Sequence, residues 1–198
     1  MDTTPRLRAD ARRNRERLLA AAAELITERG PDVPMEEIAQ HAGVGVGTLY
    51  RRFPDRHTLV RDVAAEMFRR GIAIAESEEE AASGWEGLVR LVHYCGEPEL
   101  GALSAALRPW LAEHRDRDPE LSGLTKTWLA RFEAAVRLAQ DEGAMRTDVT
   151  GADLLRFISL VTCRMPELPA AANHEASARY LGIVIDGLRR RPLSEARP

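Results

Sequence analysis

Aromatic residues make up only 5% of this chain, cysteine occurs twice and lysine once, and each scarcity removes a class of explanation. Cys95 and Cys163 stand far apart with no C-x-x-C spacing, which excludes a disulfide framework or a zinc knuckle and leaves two buried, inert thiols as the expectation. The five histidines, His41, His57, His93, His114 and His174, are scattered without H-E-x-x-H spacing, so neither a structural metal nor a cofactor is expected. Long apolar runs are missing too. The longest, such as Leu18 to Ala23 and Leu181 to Ile185, are far too short to cross a bilayer. The N-terminus has no apolar signal core, which makes the cytoplasm the expected location and no membrane the expected partner. Because Lys126 is the single lysine, nearly all positive charge is carried by guanidinium groups, whose planar fork suits phosphate and guanine.

What is present is helical and unevenly charged. Apolar residues account for 44% and charged residues for 30% of 198, enough for a real core and too apolar for a disordered chain. The formal net charge of −3 argues weakly against a nucleic-acid partner, but its distribution argues the other way. From Arg6 to Arg17 there are six arginines against Asp10 and Glu16, and the remainder is mostly acidic.

Leu18, Leu19, Ala22, Leu25 and Ile26 recur at helical spacing, predicting a helix from Ala9 to Arg29 that Gly30 and Pro31 end. A short helix is expected from Met35 to His41, then a turn at Ala42-Gly43-Val44, then a second short helix from Val46 to Phe53 with Leu49 and Phe53 on its buried side. Pro54 stops it and Asp55 is placed to cap a long helix from Arg56 into the acidic run Glu76 to Glu80. Further helices are expected over Trp85 to Cys95, Leu100 to Ala112, Leu121 to Glu142, Ala152 to Arg164 and Glu175 to Arg190, with no strand. Glu97-Pro98, Asp118-Pro119, Gly143 to Thr150 and Pro166 to Asn173 mark the breaks, and the tail from Arg189 is expected to be loose.

Residues Ile38 to Val60 read IAQHAGVGVGTLYRRFPDRHTLV and resemble the DNA-binding region of the tetracycline-repressor (TetR) family. The resemblance covers residues 10 to 60, carried by Ile38-Ala39, Ala42-Gly43-Val44, Thr48-Leu49-Tyr50, Phe53 and Asp55-Arg56. The sequence departs from the family pattern in two places. Gly45 stands where a capping serine is common, and Pro34 and Met35 stand where a threonine often opens the second helix. A short helix, a glycine turn and a second short helix also have a physical reading, since they let the second enter a major groove. With Leu49 and Phe53 behind it, Val46, Gly47, Thr48, Tyr50, Arg51 and Arg52 face outward, and Arg56 and Arg12 flank them as candidate DNA contacts. Val46 and Gly47 bring no side-chain hydrogen bonds, which shifts specificity toward Arg51, the N-terminal arginines and DNA shape.

The resemblance implies an all-α fold. An N-terminal three-helix helix-turn-helix DNA-binding domain, residues 1–57, is joined by a long helix to a C-terminal helical ligand-binding and dimerisation domain, residues 58–198. It further implies a homodimer on a palindromic double-stranded DNA operator, usually repressing, and an unidentified small-molecule effector that releases the DNA. Met67, Trp85, Tyr94, Trp110, Trp128 and Phe132 are candidates to line the effector cavity, though the same residues equally make plain core. Gly143 to Val161 looks like the passage leading into the family's first dimer helix. Leu154, Phe157, Ile158 and Val161, with Tyr180, Ile183, Val184 and Leu188, form two apolar stripes suited to a dimer's four-helix bundle or to a monomer core. A helical enzyme or a protein-interaction module stays open as an alternative, although no nucleophile–base pairing or phosphate-binding glycine loop is present.

Overall fold

Proline organises this chain by opening helices more often than by ending them. The computed structural model describes residues 4–81, 83–162 and 169–190, which form nine α-helices and, among the described residues, no strand beyond one isolated Met145–Arg189 bridge. Helix α1 spans Thr4–Arg29, α2 Met35–His41, α3 Val46–Arg52 and α4 Arg56–Ala81. Then come α5 over Gly84–Cys95, α6 over Pro98–His114, a 3-10 turn over Arg115–Arg117, α7 over Pro119–Asp141, α8 over Gly151–Val161 and α9 over Ala170–Leu188.

Helices α1, α6, α7 and α9 all begin earlier than their apolar periodicity predicts, and each has a proline at or beside its start: Pro5, Pro98, Pro119 and Pro169. In the first turn a missing N–H is no loss, because that amide has no intrahelical partner. Asp118 reinforces the α7 start by accepting hydrogen bonds from the amides of Glu120 at 2.9 Å and Leu121 at 3.0 Å. Helix α8 begins with a capping box in which Thr150 and Asp153 satisfy each other's amides. At the start of α4 the Asp55 carboxylate takes the Thr58 amide at 2.7 Å, the cap expected there. Cys163 and the end expected for α8 at Arg164 lie outside the described residues, as does the tail beyond Arg190.

Two apolar cores form. The first gathers Leu18, Leu25 and Ile26 of α1, Ile38 of α2, Leu49 of α3, Phe53 and Leu59, and is closed from below by Leu107 of α6 and Leu121 of α7. The second joins α5, α7, α8 and α9 through Leu88, Leu91, Phe132, Val136, Leu154 and Leu181. Helix α4 belongs to both, contributing Leu59 and Val63 to the first and Ala75 to the second. A displacement of α4 in one core is therefore felt in the other.

Candidate functional site

The short helix α3 is fixed from one side and open on the other. Leu49 and Phe53 are 0% and 1% exposed, whereas Val46 and Tyr50 stand about 40% exposed, Gly47, Arg51 and Arg52 are exposed and Thr48 is half-buried. Phe53 lies just past the end of α3 in extended conformation, its amide bonded to the Leu49 carbonyl at 2.8 Å, so the anchoring ring belongs to the cap of the helix and not to its last turn. Gly45 starts α3 without a side-chain cap, as glycine must, its carbonyl accepting from the Thr48 amide at 2.8 Å and the Leu49 amide at 3.2 Å.

A polar strap joins α2 and α3: the Tyr50 hydroxyl donates to Glu36 at 2.9 Å, while within α3 Arg51 donates to Thr48 Oγ1 at 2.9 Å. The backbone amide of Glu36 and then the Tyr50 hydroxyl hold the Glu36 carboxyl below its usual range, while the same bond raises the Tyr50 phenol. Gly43 makes the turn with φ +61°, a left-handed conformation that suits glycine. Across that turn Arg17 of α1 donates through Nη2 to the carbonyls of Ala42 at 2.5 Å and Gly43 at 3.2 Å. Helix α2 is tied to α1 by His41–Glu24 and Arg29–Glu37, each 2.6 Å.

The N-terminal arginines divide between structural and open roles. Arg15 pairs with Asp62 of α4 at 2.8 Å, Arg13 pairs with Asp10, and Arg17 clamps the turn. Arg12 is 79% exposed and only loosely paired with Glu16 at 3.5 Å, and Arg56 is similarly held 3.5 Å from Asp32. A groove between α1 and α3 is lined by Asp10, Asn14, Arg15, Thr48, Arg51 and Arg52, bringing the basic first helix beside the outward face of α3. Asn14 carried no signal in the sequence, and Arg17 was read only as one of the six basic-run arginines, since the groove and the clamp depend on how α1 crosses α2 and α3.

A second feature lies among α4, α5, α6, α7 and α8: a cavity of about 260 Å³. Of the six residues expected there, Met67, Tyr94 and Trp128 line it. Phe132 is fully buried behind Trp128, edge-on to it at 5.6 Å, and Trp85 lies under Arg189 at 5.0 Å. Trp110 stacks on His114 at 4.6 Å and meets His57 at 5.2 Å, at the junction of α4 and α6. Those three are placed away from the cavity wall, whose other members include Phe68, Leu100, Arg108, Leu111, Leu155 and Ile158. Gly71 lets α4 approach α7, since a Cβ there would lie 3.0 Å from the Trp128 ring. Burial pushes the Cys95 thiol up to about 12, leaving it protonated and unreactive at neutral pH, and burial likewise raises the Tyr94 phenol.

Between the two features sits a charge network. Arg61 of α4 bonds Asp118 at 2.7 Å and Asp62 at 2.8 Å, and also contacts Glu120, which Arg69 shares. Asp118 stays below its usual range despite the desolvation that opposes this, because the Leu121 amide and the Arg61 guanidinium stabilise its charge.

The stripes expected at a dimer face separate into two groups. Leu154, Ile158 and Leu188 are buried in the chain's own core, with Val161 and Val184 half-buried beside it. Phe157 at 53% and Ile183 at 60% exposure, with Tyr180, face outward, joined by Leu160 at 69%, which the stripe had not included. Among the described residues no group of three or more histidines, cysteines or carboxylates could hold a metal ion, and no helix is long and apolar enough to cross a membrane.

This arrangement has known counterparts. Residues 18–70 match the family model for bacterial regulatory proteins of the tetR family, and residues 88–190 match that for the SbtR-like transcriptional regulator C-terminal domain. An HTH-type transcriptional regulator of Staphylococcus aureus (strain USA300) is 43% identical over 54 residues, 27% of this chain and 29% of that protein, so under a third of that relative's length is spanned. Over the whole fold the chain is similar to a TetR transcription regulatory protein from Mycobacterium vanbaalenii, with 31% identity, 93% of this chain and 99% of that one covered, and a TM-score of 0.67. A TetR transcriptional regulator from Streptomyces coelicolor is 25% identical with a TM-score of 0.68, covering 90% of this chain and 99% of the other. With a matched reading head, a matched C-terminal domain and a relative alike along nearly its entire length, the chain belongs to the TetR family of helix-turn-helix transcriptional regulators.

Proposed function

We propose that the chain acts in the cytoplasm as a ligand-responsive repressor, binding a palindromic double-stranded operator as a homodimer and leaving it when a small molecule enters the cavity. The observation that carries this reading is the two-sided character of α3. Its apolar anchors are fully buried while Tyr50, Arg51 and Arg52 are exposed, with Thr48 half-buried, beside a basic first helix. Val46 and Gly47 lie at the outer end of the helix and lead into the groove. Thr48 bonds phosphate, Tyr50 does so by turning its hydroxyl from Glu36, Arg51 and Arg52 neutralise it or reach guanine, and Arg12 and Arg56 engage the flanking backbone.

In this scheme residues 1–57 are the reading head and residues 58–198 the sensor and dimer domain. The dimer forms through the outward face of α8 and α9, with Phe157, Leu160, Tyr180 and Ile183 at its centre and Val161 and Val184 at its margin. Gly187 has open space where a Cβ would project, which favours close approach of the partner helix. Two copies of α3 then stand ~34 Å apart or a multiple of it, one turn of DNA. Helix α4 couples the parts: it follows α3 directly, supplies Met67, Phe68 and Gly71 to the cavity and is pinned to α7 through Arg61. A ligand wedged between α4 and α7 favours a setting of the heads that misses the groove, with coupling of about 1–3 kcal/mol.

Selection of bound sequences from random duplex DNA tests this. The expected product is a palindrome whose affinity falls steeply with salt as counterions are released. A pool without symmetry, or binding indifferent to salt, would overturn the proposal.

A further inference from the structure

We infer that the effector is a compact amphiphilic monoanion, an apolar chain or ring ending in a carboxylate that Arg108 receives. This rests on the sensor reading above and narrows it to a chemical class.

The cavity wall is mostly apolar, with Met67, Phe68, Leu111, Trp128 and Leu155 surrounding its volume. No carboxylate lines it, and two guanidiniums do, those of Arg108 and Arg115. They stand seven residues apart, about 10 Å along the same side of the helix axis, Arg108 within α6 and Arg115 just past its end. Arg115 is shared with Asp116, Nε to Oδ1 at 3.0 Å. Arg108 has no hydrogen bond or ion pair among the described residues, and it is the one cation of the wall whose charge no side chain balances. The hydroxyls of Tyr94, Ser104 and Ser159 likewise line the cavity without a side-chain or backbone partner, while every buried side-chain polar atom among the described residues has one. The hydroxyls therefore open on the cavity or solvent, ready to donate.

A wall with one unbalanced positive charge and no carboxylate repels an ammonium and offers a neutral ligand only ordinary hydrogen bonds. A carboxylate gains a charge-assisted and potentially bidentate contact. A single negative charge matches the single free guanidinium, and the volume lies near the lower end of the ~300–1,000 Å³ common for ligand pockets, which selects a compact body. Cys95 lines the same cavity, but its protonated, buried thiol makes the binding non-covalent.

The test titrates the full chain with octanoate, octanamide, octan-1-ol and octylamine, following Trp128 by fluorescence in a Trp85→Phe, Trp110→Phe background and affinity by calorimetry of the wild type. Octanoate is expected to bind at least tenfold more tightly than octanamide and to release the selected operator. Arg108→Gln, at an exposed position, should erase that preference, and Arg108→Lys should restore part of it. Octanamide, octanol or octylamine binding as tightly as octanoate would overturn the inference, as would no binding of octanoate or a preference that survives Arg108→Gln. The sensor reading has a separate readout in Ser104→Trp, which fills the cavity. If a neutral or cationic compound releases the operator and Ser104→Trp abolishes the release, only the charge assignment falls. If release survives Ser104→Trp, the sensor reading falls.

Discussion

Gly43→Ala, alone and combined with Arg17→Ala, measures how α1 holds the helix-turn-helix in shape. An alanine at φ +61° adopts a left-handed conformation that costs a residue with a Cβ about 1–2 kcal/mol. Its Cβ would also lie 2.8 Å from Arg17 Nη2, forcing the guanidinium off the Ala42 and Gly43 carbonyls and forfeiting about 1 kcal/mol of net hydrogen bonding. Gly43→Ala should therefore destabilise by about 2–3 kcal/mol, and Arg17→Ala by about 1 kcal/mol. In the double variant the guanidinium is already gone and the alanine adds only backbone strain, so the total stays near 2–3 kcal/mol, below the sum of about 3–4. The assay is denaturant unfolding followed by circular dichroism at one fixed protein concentration, since the proposed dimerisation would make stability concentration-dependent. Additivity of the two changes within about 0.3 kcal/mol would refute the idea that they act through one contact.

Four further outcomes are expected. Arg51→Ala should weaken operator binding by about 1–3 kcal/mol if it reads a base, or lower the salt slope by about one if it meets phosphate, with the dimer intact by light scattering. Ile183→Glu and Leu160→Glu should each yield helical monomers in light scattering and lose most operator affinity, because each places a charge at the centre of the outward α8–α9 face. Asp118 has a folded pKa below its unfolded value, so its contribution is whole above about pH 4 and is lost as pH falls further. The gap in Tm between the wild type and Asp118→Asn should accordingly close below that pH. In a Cys163→Ser background, iodoacetamide at pH 8 should label Cys95 only on unfolding, given a thiol pushed up to about 12 by burial.

The reading head was legible in the sequence because its determinants are local. Leu49 and Phe53 are one turn apart, Gly43 sits at the turn and Asp55 caps the next helix, all within a stretch whose spacing alone dictates which side is buried. Arg17 was not legible as a clamp, since the carbonyls it holds are 25 residues away and only the crossing of α1 over α2 brings them near. The cavity was half legible for a related reason. Aromatic side chains mark bulk, not direction, and Trp110 lies two residues from Arg108, roughly 200° around α6, so one faces the α4 junction while the other lines the cavity. Along α8, one residue's step of about 100° separates buried Ile158 from exposed Phe157, and an apolar stripe wider than one face conceals which edge looks outward. Proline placed the helix boundaries correctly but not to the residue. Glu97-Pro98 and Asp118-Pro119 do mark breaks, yet each proline occupies the first turn of the helix that follows, two residues before the expected starts at Leu100 and Leu121.

The most direct measurement of whether α3 lies in the major groove is methylation interference on the selected operator. Methyl groups on purine N7 stand in the major groove and those on adenine N3 in the minor groove. N7 methylation should abolish binding at two clusters of bases related by the palindrome and one helical turn apart, or a multiple of it, with N3 methylation far less damaging between them. Binding that tolerates every N7 methyl group, or interference confined to N3, would contradict the placement of Thr48 to Arg52 in the groove.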